Sequence, residues 1–423
     1  VGGDGTVGAN KNSVKIIGEA TDKYTQAYFY YDAKKSGGVT QSHLRFSDEP
    51  IHATYLVQSA DFVAVHNAAY LEKFDVCREL KQGGTFLLNC RWSADQLEEK
   101  LPASLKHQLA EKNARFYIID ASDIALKLGL GSRTNTVLQA AFFQLADIIS
   151  MDVAVKAMKD AISKTYLVKA GQKVVDMNCA AVDEGVRALH KVEIPESWKG
   201  AKNAAVAESK PADFLHDLIE PMNRLEGDKL PVSLFQKYGT VDGTWPSGTS
   251  VYDKRTDAVL LPRWDAAKCV QCNQCSLVCP HAAIRAFLLT DEAAAPASFE
   301  TVQARGAGLD KYQYRIQVSP YDCLGCGQCV TSCLAKDTAL TMVSAETMMA
   351  DRSNWDYAVD HVSIKEDAVN KKNIKGLQFA RHYYQFPPAC AGCGETAYVK
   401  MVTQLFGDHM YIANASGCTA AHG

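Results

Sequence analysis

The sequence predicts a multidomain α/β protein with a small cysteine-rich α+β module in its second half. Three observations predict it. From residue 1 to 191, apolar strand-like runs alternate with helix-patterned segments. From 192 to 263, prolines and turn residues break that pattern. A C-x₂-C-x₂-C-x₃-C run then occurs twice. A length of 423 residues suits about three domains. At 47% hydrophobic and 22% charged, the composition is that of a globular protein.

In the first region, Ala27–Asp32, Phe62–His66, Thr85–Asn89 and Phe116–Ile119 read as strands. Leu71–Leu80 and Ala94–Leu109 have helical spacing between them. Asn135–Ile149 and the stretch after Val153 are longer helical patterns that can cover one face. Strands alternating with helices imply a mostly parallel sheet. Ahead of them, Gly3, Gly5 and Gly8 fit G-x-G-x-x-G, and Asp32 ends a strand some distance on. A glycine loop opening a helix offers backbone N–H groups to any phosphate. With no preceding strand in the sequence, a dinucleotide, another phosphorylated cofactor and a plain turn all stay open.

Pro195, Pro211, Pro221, Pro231 and Pro246 mark 192–263 as a linker. The cysteine module follows, over 264–345. Its first run is Cys269, Cys272, Cys275 and Cys279; its second is Cys323, Cys326, Cys329 and Cys333. Three thiolates at three-residue steps wrap three corners of a [4Fe–4S] cubane, and in this motif each fourth Cys serves the other cluster. Cys269, Cys272, Cys275 and Cys333 therefore form one ligand set, and Cys323, Cys326, Cys329 and Cys279 the other. Pro280 follows the first run as the motif expects, whereas Leu334 departs from it. Zinc sites pair C-x₂-C with a distant C-x₂-C, and disulfides need an oxidising compartment, so both fit less well. His281, next to Pro280, is placed beside a cluster. Asp291–Ser298, inside the long gap between the runs, reads as an exposed loop. Cys77, Cys90 and Cys179 sit among apolar residues as buried free thiols.

The segment 346–423 ends the chain. Cys390 and Cys393 form another C-x₂-C in a Pro/Gly loop, and Cys418 follows in NASGC. Three cysteines leave one ligand short of a closed site, so a metal site and buried or redox thiols both remain readings here.

GDGTVGANK, KKSGGVT, SHLRFSDEPI, the doubled cysteine run and PPACAGCGET together resemble the pyruvate:ferredoxin (flavodoxin) oxidoreductase family over essentially the whole chain. The resemblance implies a γ-type α/β domain, a linker, a 2[4Fe–4S] ferredoxin-like domain and the start of a thiamine-diphosphate α/β domain. The chain, opening on Val1 without an initiator Met, is read as an internal piece of a longer protein, inactive alone. The implied reaction decarboxylates pyruvate on thiamine diphosphate with Mg²⁺. CoA takes the acetyl group, and electrons pass singly through three [4Fe–4S] clusters to ferredoxin or flavodoxin. Cys390, Cys393 and Cys418 match ligands of the family's proximal cluster, with the fourth outside this sequence. Glu395 matches a residue at the thiamine site. The glycine loop becomes a CoA site: Asp4, Gly5, Thr6, Val7 and Gly8, with Lys11, Lys35 and Ser36 as phosphate or ribose contacts. Asn135 and Asn178 are further CoA candidates, with hydrogen bonding inside the fold an equal alternative. A homodimer in the cytoplasm, or in an anaerobic organelle, completes the implied picture.

Other classes make different demands. A pure electron relay has no need of PPACAGCGET with Cys418. A flavin or nicotinamide reductase would use G-x-G-x-x-G and bleach with NADH. The net charge of −3 gives no reason to expect nucleic acid or an anionic membrane. No run of about 18 apolar residues suggests a membrane helix.

Overall fold

The computed structural model describes residues 6–32, 38–202, 214–290 and 295–422. The chain forms two compact units, 1–31 with 39–241, and 32–38 with 242–423.

The first unit is built on a four-stranded sheet. Its strands are β3 (Ala60–Val65), β4 (Leu80–Asn89), β5 (Arg115–Ile119) and β6 (His190–Val192), side by side in that order. β3, β4 and β5 are parallel, and β6 joins the β5 edge antiparallel. Side chains alternate across the sheet. Phe86, Leu88, Phe116 and Ile118 face one core with Leu105 and Leu109 of the helix Ala103–Glu111. Leu87 and Ile119 face the other, against Val137, Ala141 and Ala181. Each such buried Phe or Leu contributes about 1.5–3 kcal/mol relative to exposure. The helices Asn135–Ala146 and Gln172–Arg187 approach so closely that a Cβ at Gly185 would lie 2.4 Å from the Val137 carbonyl oxygen. A third core gathers Ile16 and Ile17 of the helix Thr6–Ala20 with Phe143, Met158 and Val182.

Several elements differ from the sequence expectation. The first strand, β1 (Tyr24–Tyr31), pairs antiparallel with β2 (Thr40–Ser47) in a separate two-stranded sheet. Tyr28 and Tyr31 stay exposed there, so aromatic β propensity rather than burial sets this strand. Leu71–Leu80 is no helix. A short 3₁₀ turn, Ala68–Glu72, starts on the Asn67 cap, and Leu80 is drawn into β4 opposite Ala60. Ala94–Leu109 is broken at Pro102, where Leu101 is extended as a residue before proline prefers. Trp198, from the proline-marked stretch, is buried against Phe116.

Cys77 and Cys90 are buried, as expected, and burial pushes both thiols up to about 11, whereas Cys179 is only partly buried. Iodoacetamide at neutral pH should leave both unmodified in the folded protein and label them after unfolding. Labelling of native Cys77 at the rate of a free thiol would contradict this.

The second unit contains β7 (Leu260–Trp264), β8 (Ile284–Leu289), β9 (Val302–Gln303), β10 (Gln313–Val318) and β11 (Leu340–Ser344). β7 pairs antiparallel with β11, while β10 lies between β8 and β9. The gap between the cysteine runs is therefore structured, and its core holds Ile284, Leu288, Tyr314, Ile316 and Val318. Of the expected loop Asp291–Ser298, residues 291–294 lie outside the described residues; Ala295, Ala297 and Ser298 are exposed. No helix among the described residues is long and apolar enough to cross a membrane.

Candidate iron–sulfur and cofactor sites

Each cysteine run is a loop entering a short helix, Gln274–Val278 in the first and Gln328–Thr331 in the second. Left-handed residues precede the second cysteine of each run and follow it. Gly325 (φ +66°) and Gly327 (φ +76°) do this in the second loop. Gln271 (φ +57°) and Asn273 (φ +61°) do it in the first, where a side chain makes the conformation cost about 1–2 kcal/mol each. Hydrogen bonds offset that cost. Gln271 donates to the Gln303 carbonyl at 2.9 Å and accepts from Arg305 N–H at 2.8 Å. Asn273 donates to the Lys375 carbonyl at 2.8 Å and accepts from the buried Tyr314 hydroxyl at 2.8 Å. The sequence reading missed both residues. Their signal was alignment with the glycines of the second run.

The two loops enclose two cavities. One is lined by Cys269, Cys272, Cys275 and Cys333, with Trp264 and Tyr314. The other is lined by Cys279, Cys323, Cys326 and Cys329, with Pro262 and His281. Each thus gathers three cysteines from one run and the last cysteine of the other. They hold about 320 and 360 Å³ of atom-free space, open mouths included. Among the described residues, no three His, Cys, Asp or Glu side chains meet closely enough to hold a single metal ion. Sulfurs ringing a void fit a cubane and fit mononuclear zinc poorly.

The electrostatics agree with that fit. Burial, then neighbouring thiolates, push the Cys275 thiol well up, and burial does the same to Cys323. Cys329 is pushed up to about 12 by burial, then by Cys279 and Cys326. Four converging thiolates need a cationic centre to be stable together. At Cys333, burial is outweighed by N–H groups of Ala335 and Ala339 and by the Thr338 hydroxyl, which hold the thiol below its ordinary value. The N–H groups of Gln271 and Ala339 point at the Cys269 and Cys333 sulfurs, both at 3.4 Å. His281 is buried, with Nε2 3.3 Å from the Ala389 carbonyl oxygen. Burial, then Arg255, lowers its pKa to about 4 and keeps the ring neutral.

The Cys390–Cys393 loop is held against the second cavity. Arg255 donates to the Phe386 and Pro387 carbonyls at 3.1 and 2.6 Å. Arg285, over the adjoining Trp355 and Phe386 rings, donates to Gln385 Oε1 at 2.6 Å. Gln328 Nε2 donates to the Gly392 carbonyl at 2.9 Å, and a Cβ at Gly392 would lie 3.5 Å from Cys326 Cβ. Gln328 was also missed in the sequence; only its place inside the second run hinted at it. Cys390 and Cys418 are exposed, and Cys418 opens the short helix Cys418–His422. Glu395 stands at the N-cap position of the helix Thr396–Phe406, making no side-chain cap bond.

In the first unit, Thr6 starts its helix beside the carboxyl edge of the sheet. Its hydroxyl lies 3.1 Å from His66 Nδ1. Asn89 Nδ2 donates to the His66 carbonyl, and Asn89 Oδ1 accepts from Ala121 N–H, both at 2.9 Å. Ligands of open α/β sheets bind along this edge. Gly8 is exposed, with open space where a Cβ would stand, and the Lys11 ammonium lies 5.5 Å over the Phe29 ring. Asp4, Gly5, Lys35 and Ser36 lie outside the described residues. Asn135 begins its helix, partly buried. Asn178 is buried and engages both amide atoms within the fold, accepting from the Thr136 hydroxyl and donating to the Val174 carbonyl.

Comparison with known proteins bears on the domains of the chain. Residues 1–188 match the family described as pyruvate ferredoxin/flavodoxin oxidoreductase. Residues 200–258 match a domain of unknown function, and 261–335 match a 4Fe–4S dicluster domain. The chain is 50% identical over 427 residues to a pyruvate:ferredoxin oxidoreductase of Moorella thermoacetica. It is 49% identical over 425 residues to a pyruvate-flavodoxin oxidoreductase of Enterobacter agglomerans. A pyruvate dehydrogenase [NADP(+)] of Cryptosporidium parvum is 45% identical over 456 residues. All of this chain is covered in each match, yet it spans 36% of the length of the first two relatives and 23% of the third. With a match to the pyruvate ferredoxin/flavodoxin oxidoreductase family at 1–188 and to a 4Fe–4S dicluster domain at 261–335, the chain is similar over its whole length to one part of these oxidoreductases.

Proposed function

We propose that this chain carries the electron-conducting core and the CoA-facing domain of an enzyme that oxidatively decarboxylates pyruvate to acetyl-CoA and CO₂. Electrons leave to ferredoxin or flavodoxin, and the whole enzyme is a homodimer in the cytoplasm or in an anaerobic organelle. The observation that carries the reading is the pair of cysteine-ringed cavities with the C-x₂-C loop against one of them. Domains are assigned as 1–191 (γ-type α/β), 192–263 (linker), 264–345 (ferredoxin-like) and 346–423 (start of the thiamine-diphosphate domain).

Cys269, Cys272, Cys275 and Cys333 hold one [4Fe–4S] cluster, and Cys323, Cys326, Cys329 and Cys279 the second. Cys390, Cys393 and Cys418 contribute to a third. Such clusters supply one-electron transfer at low potential. The contact of Gly392 with Cys326 supports an order in which electrons cross from the 390–393 loop to the second cavity. The helix Gln274–Val278, with Cys275 inside it and Cys279 just after it, leads on to the first. Glu395 is assigned to the thiamine-diphosphate site, beside the third cluster. Asp4–Gly8, Lys11, Lys35 and Ser36 are assigned to CoA, supported by the helix start at the carboxyl edge of the sheet. Asn135 remains a further CoA contact, whereas the bonds of Asn178 favour a structural role.

The test is anaerobic methyl viologen reduction by the full-length protein. Reduction requiring both pyruvate and CoA is expected. Reduction with a different 2-oxoacid alone would change the substrate and keep the chemistry. No 2-oxoacid-dependent reduction, with clusters and thiamine intact, would leave an electron relay as the better reading.

A further inference from the structure

Lys400 is completely buried on the helix Thr396–Phe406, which opens three residues after Cys393. Its ammonium donates to the Ser276 carbonyl and, at 3.1 Å, to the Cys279 carbonyl. These carbonyls lie in the last turn and at the C-cap of the short helix Gln274–Val278, where the Ser276 oxygen also accepts the Cys279 N–H. Cys275 lines one cavity and Cys279 the other, so the ammonium stands at the junction of the two ligand sets.

Two neutral carbonyls do not balance a full buried charge. Burial draws the Lys400 pKa down to about 8, still above neutral pH, and buried Arg285 adds repulsion; the groups that favour the ammonium are the sulfurs of Cys279 and Cys275, one from each cavity. Among the described residues, no carboxylate is one of them. A cubane with four thiolates is anionic and becomes more so on reduction. A fixed cation nearby therefore favours the reduced state, with an effect enlarged by the low local dielectric.

We propose that Lys400 is a positioning residue, a buried counter-charge shared by both clusters that raises their reduction potentials. Because it is borne by the helix that follows the Cys390–Cys393 loop, it ties the potential of the pair to the seating of that loop. The inference rests on the two-cluster reading of the eight cysteines.

The experiment is an anaerobic redox titration at pH 7, with dithionite as reductant and electron paramagnetic resonance as readout. It compares the holoprotein with Lys400→Met, Lys400→Gln and Lys400→Arg. Both neutral variants should shift the reduction equilibrium of the Cys279-ligated cluster at least tenfold toward the oxidised form, about 59 mV for one electron. Lys400→Arg should stay near the wild type. Wild-type potentials in both neutral variants would overturn the inference. So would a shift in Lys400→Met alone, because glutamine keeps a donor without the charge. If the neutral variants lose their clusters and the arginine variant keeps them, the charge acts already in assembly and the counter-charge stands. If all three lose them, Lys400 is a packing residue and the inference falls. Absence of two cubanes in the wild-type protein would instead sink the cluster reading.

Discussion

Cys279→Ala should abolish the cluster held by the second cysteine run, although Cys279 belongs to the first. The cavity lined by Cys323, Cys326 and Cys329 takes its fourth sulfur from Cys279, while Cys269, Cys272 and Cys275 face Cys333. Removing one ligand of four leaves an open iron site among buried sulfurs, so one low-potential signal should vanish entirely. The decisive comparison is with Cys326→Ala and Cys272→Ala, each studied by anaerobic redox titration. Cys279→Ala should lose the same signal as Cys326→Ala and retain the one lost in Cys272→Ala. The opposite match would mean that each run ligates its own cluster, and crossed ligation would be wrong.

Gly325→Ala should be the most damaging glycine substitution in the cysteine module, for two separable reasons. Its backbone is left-handed at φ +66°, which costs an alanine about 1–2 kcal/mol. The new Cβ would also lie 2.6 Å from the Leu260 carbonyl oxygen and 3.3 Å from Ala258 Cβ. Backbone cannot rotate away, and Leu260 is tied to Ser344 where β7 meets β11. Overpacking of this kind adds about 1–3 kcal/mol. The sum, near 3 kcal/mol, should lower the melting temperature by roughly 10 °C. Gly327→Ala is the control: its φ is +76°, but nothing lies within 4 Å of the added carbon. It should lose only the conformational part. Equal losses in anaerobic melting of the two variants would rule out the clash with Leu260.

The parts of this structure legible in the sequence are those where side-chain pattern and backbone geometry demand the same thing. Phe62–His66, Thr85–Asn89 and Phe116–Ile119 fall within a few residues of the observed strands because buried parallel strands are continuously apolar. The cysteine spacing specifies its loops directly. Leu71–Leu80 misled because its apolar spacing is helical, yet Leu80 serves sheet pairing with a residue twenty positions earlier, which no local pattern encodes. Lys400 was illegible for a sharper reason. On its helix Thr396, Lys400, Thr403 and Gln404 are buried while Tyr398 is 68% exposed, the inverse of the usual amphipathic reading. What draws the polar stripe inward includes the carbonyls of Ser276 and Cys279, more than a hundred residues away in sequence. Gln328 and Asn273 were missed likewise, since their partners come from distant segments.

The pairing of β7 with β11 has a consequence for how such proteins are assembled over evolution. Leu260 stands opposite Ser344 and Trp264 opposite Leu340, so the chain enters and leaves this stretch at one edge. A segment whose ends are already adjacent can be spliced into, or cut from, a host polypeptide without separating the flanking pieces. The span between those strands thus has the geometry of a cassette, joined to its host at a single seam.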